Sequence, residues 1–153
     1  MGPFDDPARL PPRVAALRVK ILEACASGMV EALAVPIQWA ETPPVFSRGP
    51  DRPRGFADIV GFLKRRSFDG EGREMVAILR AVFEQPFVAL RRGPFESYGW
   101  PAAAWIPLAA PTPEARAALW RCVRFADLSR DDAALHRAVI GADGTWHSFL
   151  AGA

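Results

Sequence analysis

Two histidines, together with the carboxylates Glu41 and Glu96, are the side chains of this 153-residue chain that could carry acid–base chemistry. His147 follows Trp146 in a predicted terminal strand, where alternation places the two side chains on opposite faces. A general base must lie within hydrogen-bond reach of its partner, so either glutamate could assist His147 only if the fold joins them. The alternative is a partly exposed strand histidine. His136 is expected on a polar helix face.

The segment "GPFESYGWPAAAWIP", residues 93–107, gathers one carboxylate and several aromatic rings between two helix-like segments. Pro94, Pro101 and Pro107 prevent a continuous helix, so the segment is predicted to be irregular or strand-like. Tyrosine and tryptophan bury a large area and carry a hydrogen-bond donor, which suits them to cores and to ligand recognition alike. Both interpretations stay open. The residues predicted to bind a ligand are Trp39, Phe46, Glu96, Tyr98, Trp100, Trp105 and Trp146.

The local signatures of common enzymes are absent from the sequence. It contains no Gly-x-Ser-x-Gly elbow, no Walker loop, no Gly-x-Gly-x-x-Gly turn and no His-Glu-x-x-His pair. Active sites built from carboxylates leave almost no local pattern, so catalysis stays open. The sequence favours a non-catalytic protein, and no cofactor is predicted.

One acidic turn and two cysteines are the features that could hold a metal. "SFDGEGRE" places Asp69, Glu71 and Glu74 beside two glycines, superficially like a calcium loop. An EF-hand loop needs ligands at five or more positions over about twelve residues, whereas this turn runs directly into a predicted helix. Stabilisation of the helix N-terminus is the preferred interpretation. Cys25 and Cys122 have no metal-ligand spacing and are predicted to be small buried hydrophobes. No metal site is predicted.

Composition limits the class of protein. A chain of this length with 50% hydrophobic residues can bury the core of one domain. Its 19 Lys and Arg and 17 Asp and Glu give a net charge of +2, and the basic residues are scattered, so no nucleic-acid partner is predicted. The sequence contains no run of about eighteen apolar residues, so no transmembrane segment is predicted. The start "MGPFDDPARLPPR" has no apolar leader region.

Periodicity predicts a helix-rich first half. Apolar residues recur every three or four positions over residues 13–28, as in an amphipathic helix. A short second helix should stop at or before Pro36, because the proline ring blocks helical continuation. Further helices are predicted over residues 55–66, over residues 71–84, after an N-cap at Thr112 and after an N-cap at Ser129.

The second half predicts a small sheet. "FVALRR", residues 87–92, is a strand candidate, and two β-type runs flank Asp143-Gly144, a dipeptide that favours a tight hairpin. The predicted fold is therefore α+β: a helix-rich single domain with a small antiparallel sheet formed mainly by the C-terminal half. Residues 1–12 are predicted to be a flexible Pro-rich arm, residues 13–153 a single globular domain, and the Pro-rich residues 38–55 a lid or rim.

Two motifs resemble those of a family of small uncharacterised proteobacterial proteins. The first is Glu-x-Tyr-x-Trp-Pro, residues 96–101, and the second is Asp-Gly-x-Trp, residues 143–146. The resemblance extends in five blocks from about Arg13 onward and implies no known activity. Because many members look exported, it implies a periplasmic or secreted location if a leader has been removed, and a cytoplasmic one otherwise. The chain departs from the family pattern at Ala102–Ala104 and at Ala153, which replaces an acidic residue.

Three functional hypotheses follow. The first is a non-catalytic binding protein of the bacterial cell envelope, which holds a partner protein, peptide or envelope glycan in a groove formed by Tyr98, Trp100, Trp105 and the loop over residues 39–46. The second is a small cone-shaped α+β hydrolase or isomerase that uses Glu41, Glu96 and His147. The third is a subunit of a larger assembly, indicated by a mean hydropathy of +0.05, with the oligomeric state left open.

Overall fold

The computed structural model describes residues 2–107, 110–128 and 134–151. In these residues a helical first half precedes a four-stranded antiparallel sheet, which confirms the predicted α+β class. The helices are α1 (Pro12–Ala26), α2 (Ala34–Gln38), α3 (Phe56–Arg66), α4 (Arg73–Phe83) and α5 (Pro113–Trp120). The strands are β1 (Val88–Arg92), β2 (Phe95–Trp100), β3 (His136–Gly141) and β4 (Trp146–Ala151), and each pairs with the next in chain order.

Helix α4 is the element that joins the helical half to the sheet. Its buried side chains recur at helical spacing and include Met75, Leu79, Val82 and Phe83. On one side α4 packs against α1, and on the other it packs against β3. The core of the domain therefore lies on either side of this helix.

Helix α2 corrects the prediction that a helix must end at Pro36. A 3-10 turn, Val30–Leu33, leads into α2, and Pro36 is the third residue of the helix. The first N–H groups of an α-helix have no acceptor within the helix, so a proline in the first turn removes no helical hydrogen bond. The proline thus lies near the beginning of a short helix and does not end one.

The inner face of the sheet is aromatic. In register, Trp100 lies opposite Ala138, which lies opposite Phe149, and all three are buried. Phe83 of α4 contacts this face, with its ring centroid 5.0 Å from that of Trp100 and 6.4 Å from that of Trp146. The indole N–H of Trp100 is enclosed without a hydrogen-bond partner among the described residues.

The outer face of the sheet is covered by Trp105. After β2 the chain turns at Pro101 and passes through a 3-10 turn, Ala102–Ala104, which returns Trp105 to the strand it has left. A Cβ atom on Gly99 would lie only 2.7 Å from Cη2 of Trp105, so the ring fits there because residue 99 has no side chain. The Arg137 guanidinium lies 5.4 Å from the ring centroid of Trp105, at cation–π distance.

His136 corrects a second prediction, because it begins β3 and does not lie on a helix. Its side chain is only 2% exposed, and its Nδ1 lies 3.2 Å from the carbonyl oxygen of Cys122. Alternate residues of β3, His136, Ala138 and Ile140, are all buried, which is the pattern of a strand with one face toward the core. The predicted N-cap at Ser129 lies outside the described residues.

Two proline-rich segments lie against the body of the domain. In the predicted arm, Phe4 exchanges two backbone hydrogen bonds with Phe87, and Leu10 is buried. The predicted lid is irregular and contains one isolated bridge, from Val45 to Ser148 of β4. None of the helices in the described ranges has the length and apolar character that crossing a membrane requires.

Replacement of Gly99 by alanine is expected to lower the free energy of unfolding by about 1–3 kcal/mol, the usual cost of overpacking. The added methyl group would displace the Trp105 ring. Urea denaturation of both single variants and of the double variant Gly99→Ala, Trp105→Ala measures the coupling. The cost of Gly99→Ala should largely vanish when Trp105 is absent. Additive effects would contradict the close contact.

Acidification is expected to destabilise the domain through His136. Burial is the main cause that lowers the pKa of His136 from 6.5 to about 4, so the unfolded chain binds a proton before the folded chain does. The stability contributed by the neutral ring is complete above pH 6.5 and is lost as the pH falls toward 4. The loss amounts to at most roughly 3 kcal/mol.

Urea denaturation of two histidine variants over this pH range tests the assignment. His136→Gln should show a shallower pH dependence than the wild type, because no titratable side chain remains in the buried position. His147→Gln removes an exposed imidazole and is the matched control. Carboxylates contribute to both variants, so the difference between their slopes is the relevant quantity. Equal slopes would contradict the role of His136.

Candidate functional site

Four of the seven residues predicted to bind a ligand belong to the core. Phe46, Tyr98, Trp100 and Trp146 are buried, because the inner face of the sheet is closed by α4 and by the loop before α3. Of the two interpretations that the sequence left open, core and binding rim, these four residues therefore match the core. The remaining three are accessible to different degrees: Trp39 is exposed after α2, while Trp105 and Glu96 are partly buried.

The three candidate acid–base residues do not meet. Glu96 accepts a hydrogen bond from the Tyr98 hydroxyl at 2.8 Å and lies 3.8 Å from Nη2 of Arg91. Burial and then this bond to Glu96 raise the pKa of Tyr98 to about 12. Glu41 and His147 are both exposed. Among the described residues no hydrogen bond or ion pair joins any two of the three, so the structure does not assemble the predicted acid–base group.

Both cysteine thiols are free and buried. Burial raises the pKa of Cys25 and of Cys122 to about 12, which keeps both thiols protonated and unreactive. In the described residues no cluster of three or more His, Cys, Asp or Glu side chains could hold a metal ion.

Two phenylalanine rings, Phe68 and Phe125, form an exposed aromatic pair. Phe68 lies between α3 and α4 and is 76% exposed, while Phe125 follows α5 and is 61% exposed. Their ring centroids are 4.9 Å apart, with an angle of 58° between the ring planes. Large apolar side chains usually lie inside a folded domain, so two adjacent exposed rings are the feature of this surface that requires an explanation.

One carboxylate positions both members of the pair. Oε1 of Glu74 accepts the backbone N–H of Phe68 at 2.8 Å, and Oε2 accepts that of Phe125, also at 2.8 Å. Phe125 is 51 positions beyond Glu74 in the chain, so this side chain joins two distant segments. Hydrogen bonds to an ionised acceptor are stronger than neutral ones, and Glu74 is partly buried. The backbone beneath both rings is thus fixed.

The turn before α4 explains how Glu74 reaches this position. Oδ1 of Asp69 accepts the N–H groups of Glu71 and Gly72 at 2.9 and 3.1 Å, which satisfies donors ahead of the helix. Gly72 has a φ of 90° and approaches Val30 so closely that a side chain would clash. Helix α4 then begins at Arg73, and Glu74 lies in its first turn. The acidic turn therefore organises backbone N–H groups.

A second contact fixes the segment that carries Phe125. Nη1 of Arg124 donates to the carbonyl oxygen of Arg66 at 3.3 Å, and its Nε donates to Oδ2 of Asp127 at 3.2 Å. These bonds tie the 3-10 turn Phe125–Asp127 to the end of α3. The aromatic pair is therefore held from both sides.

Sequence reasoning missed the aromatic pair. Phe68 stands in a polar turn, and Phe125 lies within a stretch that resembles the end of a helix, so neither belongs to a motif. The one local signal is Phe68 itself, a large apolar residue directly before Asp69-Gly70. This dipeptide favours a turn, and a turn would place Phe68 on the surface. The contact through Glu74 joins distant positions, which no spacing rule detects.

Comparison with known proteins adds no assignment, because the chain matches no protein-family model, no curated protein and no solved structure. The resemblance to small proteobacterial proteins rests on its motifs alone. Three aromatic residues of those motifs, Tyr98, Trp100 and Trp146, lie in the core of this structure.

Proposed function

We propose that this protein is a non-catalytic binding domain that contacts a partner polypeptide through the aromatic pair, Phe68 and Phe125. The observation that carries the proposal is the single carboxylate, Glu74, that fixes the backbone of both exposed rings. The resemblance to exported bacterial proteins supports a location in the cell envelope.

Preorganisation is the first argument for this function. Binding costs free energy whenever mobile side chains or loops must be ordered, at about 0.5–1.5 kcal/mol for each such side chain. Here the backbone of both rings is already fixed by hydrogen bonds, and the rings already touch. Aromatic residues that a partner can desolvate contribute much of the affinity in protein interfaces. The pair therefore offers a binding surface at low ordering cost.

The chemistry of the surface favours a polypeptide over a glycan. Phenyl rings have no polar group with which to bond sugar hydroxyls, whereas apolar side chains pack well against them. A partner segment that presents an apolar side chain therefore fits the pair.

Peptide selection with a matched control tests the proposal. A displayed random-peptide library is selected on the wild type and counter-selected on the double variant Phe68→Ser, Phe125→Ser. Enriched peptides should carry an aromatic or aliphatic residue, and calorimetry should show at least tenfold weaker binding to the double variant. Both rings are exposed, so the double variant should keep the wild-type unfolding midpoint.

Phe95→Ser is the control, because Phe95 is as exposed as Phe68, at 76%, but lies on β2. An equal loss of affinity in this variant, or failure to enrich any apolar sequence, would count against the proposal. Sedimentation of the wild type and the double variant tests whether the chain associates with itself through the aromatic pair. A wild-type dimer that dissociates in the double variant would show that the occupant is a second copy of the chain.

Replacement of Glu74 by alanine is expected to weaken binding of the selected peptides while both rings remain present. It should also lower the free energy of unfolding by about 1–3 kcal/mol, because two backbone N–H groups lose a charged acceptor. Glu71→Ala is the control, since its exposed ion pair with Arg73 contributes little. A Glu74→Ala variant with wild-type affinity would show that fixing the backbone is irrelevant to binding.

A further inference from the structure

A cleft of about 230 Å³ lies between the irregular loop before α3 and the end of β4. Its walls include Ser47, Arg48 and Gly49 from the loop, Arg66 from the end of α3, and Ala151 from β4. None of these residues belongs to the aromatic pair. The site is thus separate from the surface proposed to bind a polypeptide.

The loop that forms one wall is firmly attached to the sheet. Val45 donates its N–H to the carbonyl oxygen of His147 at 2.9 Å and accepts the N–H of Phe149 at the same distance. The Phe46 ring packs edge-on against Trp146, with the centroids 5.4 Å apart. The residues that follow, from Ser47 to Gly49, therefore begin from a fixed point at the edge of the sheet.

Positive charge exceeds negative charge among the described residues that line this cleft. Arg66 is paired with Asp51 at 3.1 Å, and Asp51 also accepts the Ser47 hydroxyl at 2.7 Å. Arg48 is exposed and makes no ion pair with a described residue.

We propose that the cleft binds the oxyanion group of a small ligand, a carboxylate or a phosphate, with Arg48 as its principal contact. A guanidinium group presents parallel N–H donors that match two oxygens of such a group. An anion placed here would pair with Arg48, a charge that has no counter-ion among the described residues. The volume admits a small molecule or one end of a larger one.

Titration of the isotope-labelled protein with inorganic phosphate, and separately with succinate, tests the site by NMR. Ionic strength is held constant with sodium chloride, because salt alone screens exposed charges. Saturable shifts are expected at the backbone amides of Ser47, Gly49 and Ala151. Tighter binding of phosphate would identify a phosphate-bearing ligand, and tighter binding of succinate would identify a carboxylate-bearing one.

Two arginine variants of the same loop distinguish specific anion binding in the cleft from a non-specific effect of positive charge. Arg48→Gln should weaken anion binding about tenfold, the effect of losing a hydrogen bond to a charged group. Arg52→Gln removes the same charge from an exposed residue of that loop outside the cleft and should bind as the wild type does. Equal weakening in both variants, shifts reproduced by sodium chloride, or no saturable shift at the cleft would overturn the proposal. Both variants keep the aromatic pair, so peptide binding reports separately on that surface.

Discussion

The packing of Phe83 against the indoles of Trp100 and Trp146 is the interaction on which the rest of the structure depends. It fixes α4 to the sheet, and α4 contacts both the N-terminal helix α1 and the central strand β3. Aromatic rings in tilted and edge-on contacts gain interaction energy beyond the area they bury. The enclosed indole N–H of Trp100 has no acceptor among the described residues, so this ring is held by packing, whereas Trp146 also donates its indole N–H to the carbonyl oxygen of Ser148 at 3.0 Å.

The positions of the aromatic pair and of the cleft both follow from the position of α4. Its first turn carries Glu74, which reaches the segments bearing the two exposed rings. The inner face of the sheet that α4 covers includes Trp146, and Phe46 packs on that ring to position the loop beside the cleft. The fold thus brings two distant loops to defined positions on one rigid frame, which is how binding residues on loops are usually organised.

Much of the fold could be predicted because its signals are local. Helical spacing located α1, α3 and α4 within a few residues, and Asp143-Gly144 located the terminal hairpin. Two failures have physical causes. Pro36 lies in the first turn of α2, where the backbone N–H that proline lacks would have no acceptor within the helix. The beginning of β3 at His136 was assigned to a helix, because a polar residue at a buried position breaks the alternating pattern by which strands are identified.

The candidate site was much less predictable, because its contacts are not local. The aromatic stretch contains residues suited to binding, but strand alternation places Tyr98 and Trp100 in the core and leaves Trp105 over Gly99 on the other face. Residue types alone cannot distinguish these positions. The pair Phe68 and Phe125 was missed because its partners meet only through the tertiary fold.

The bidentate use of Glu74 couples the motions of two segments. Because one carboxylate accepts both backbone N–H groups, rotation of its side chain breaks both hydrogen bonds together. The two amides then lose the same acceptor in one event, which links their exchange with solvent. A partner that covered either ring, as proposed, would hold Glu74 in place and so protect both amides through their shared acceptor without a change of shape.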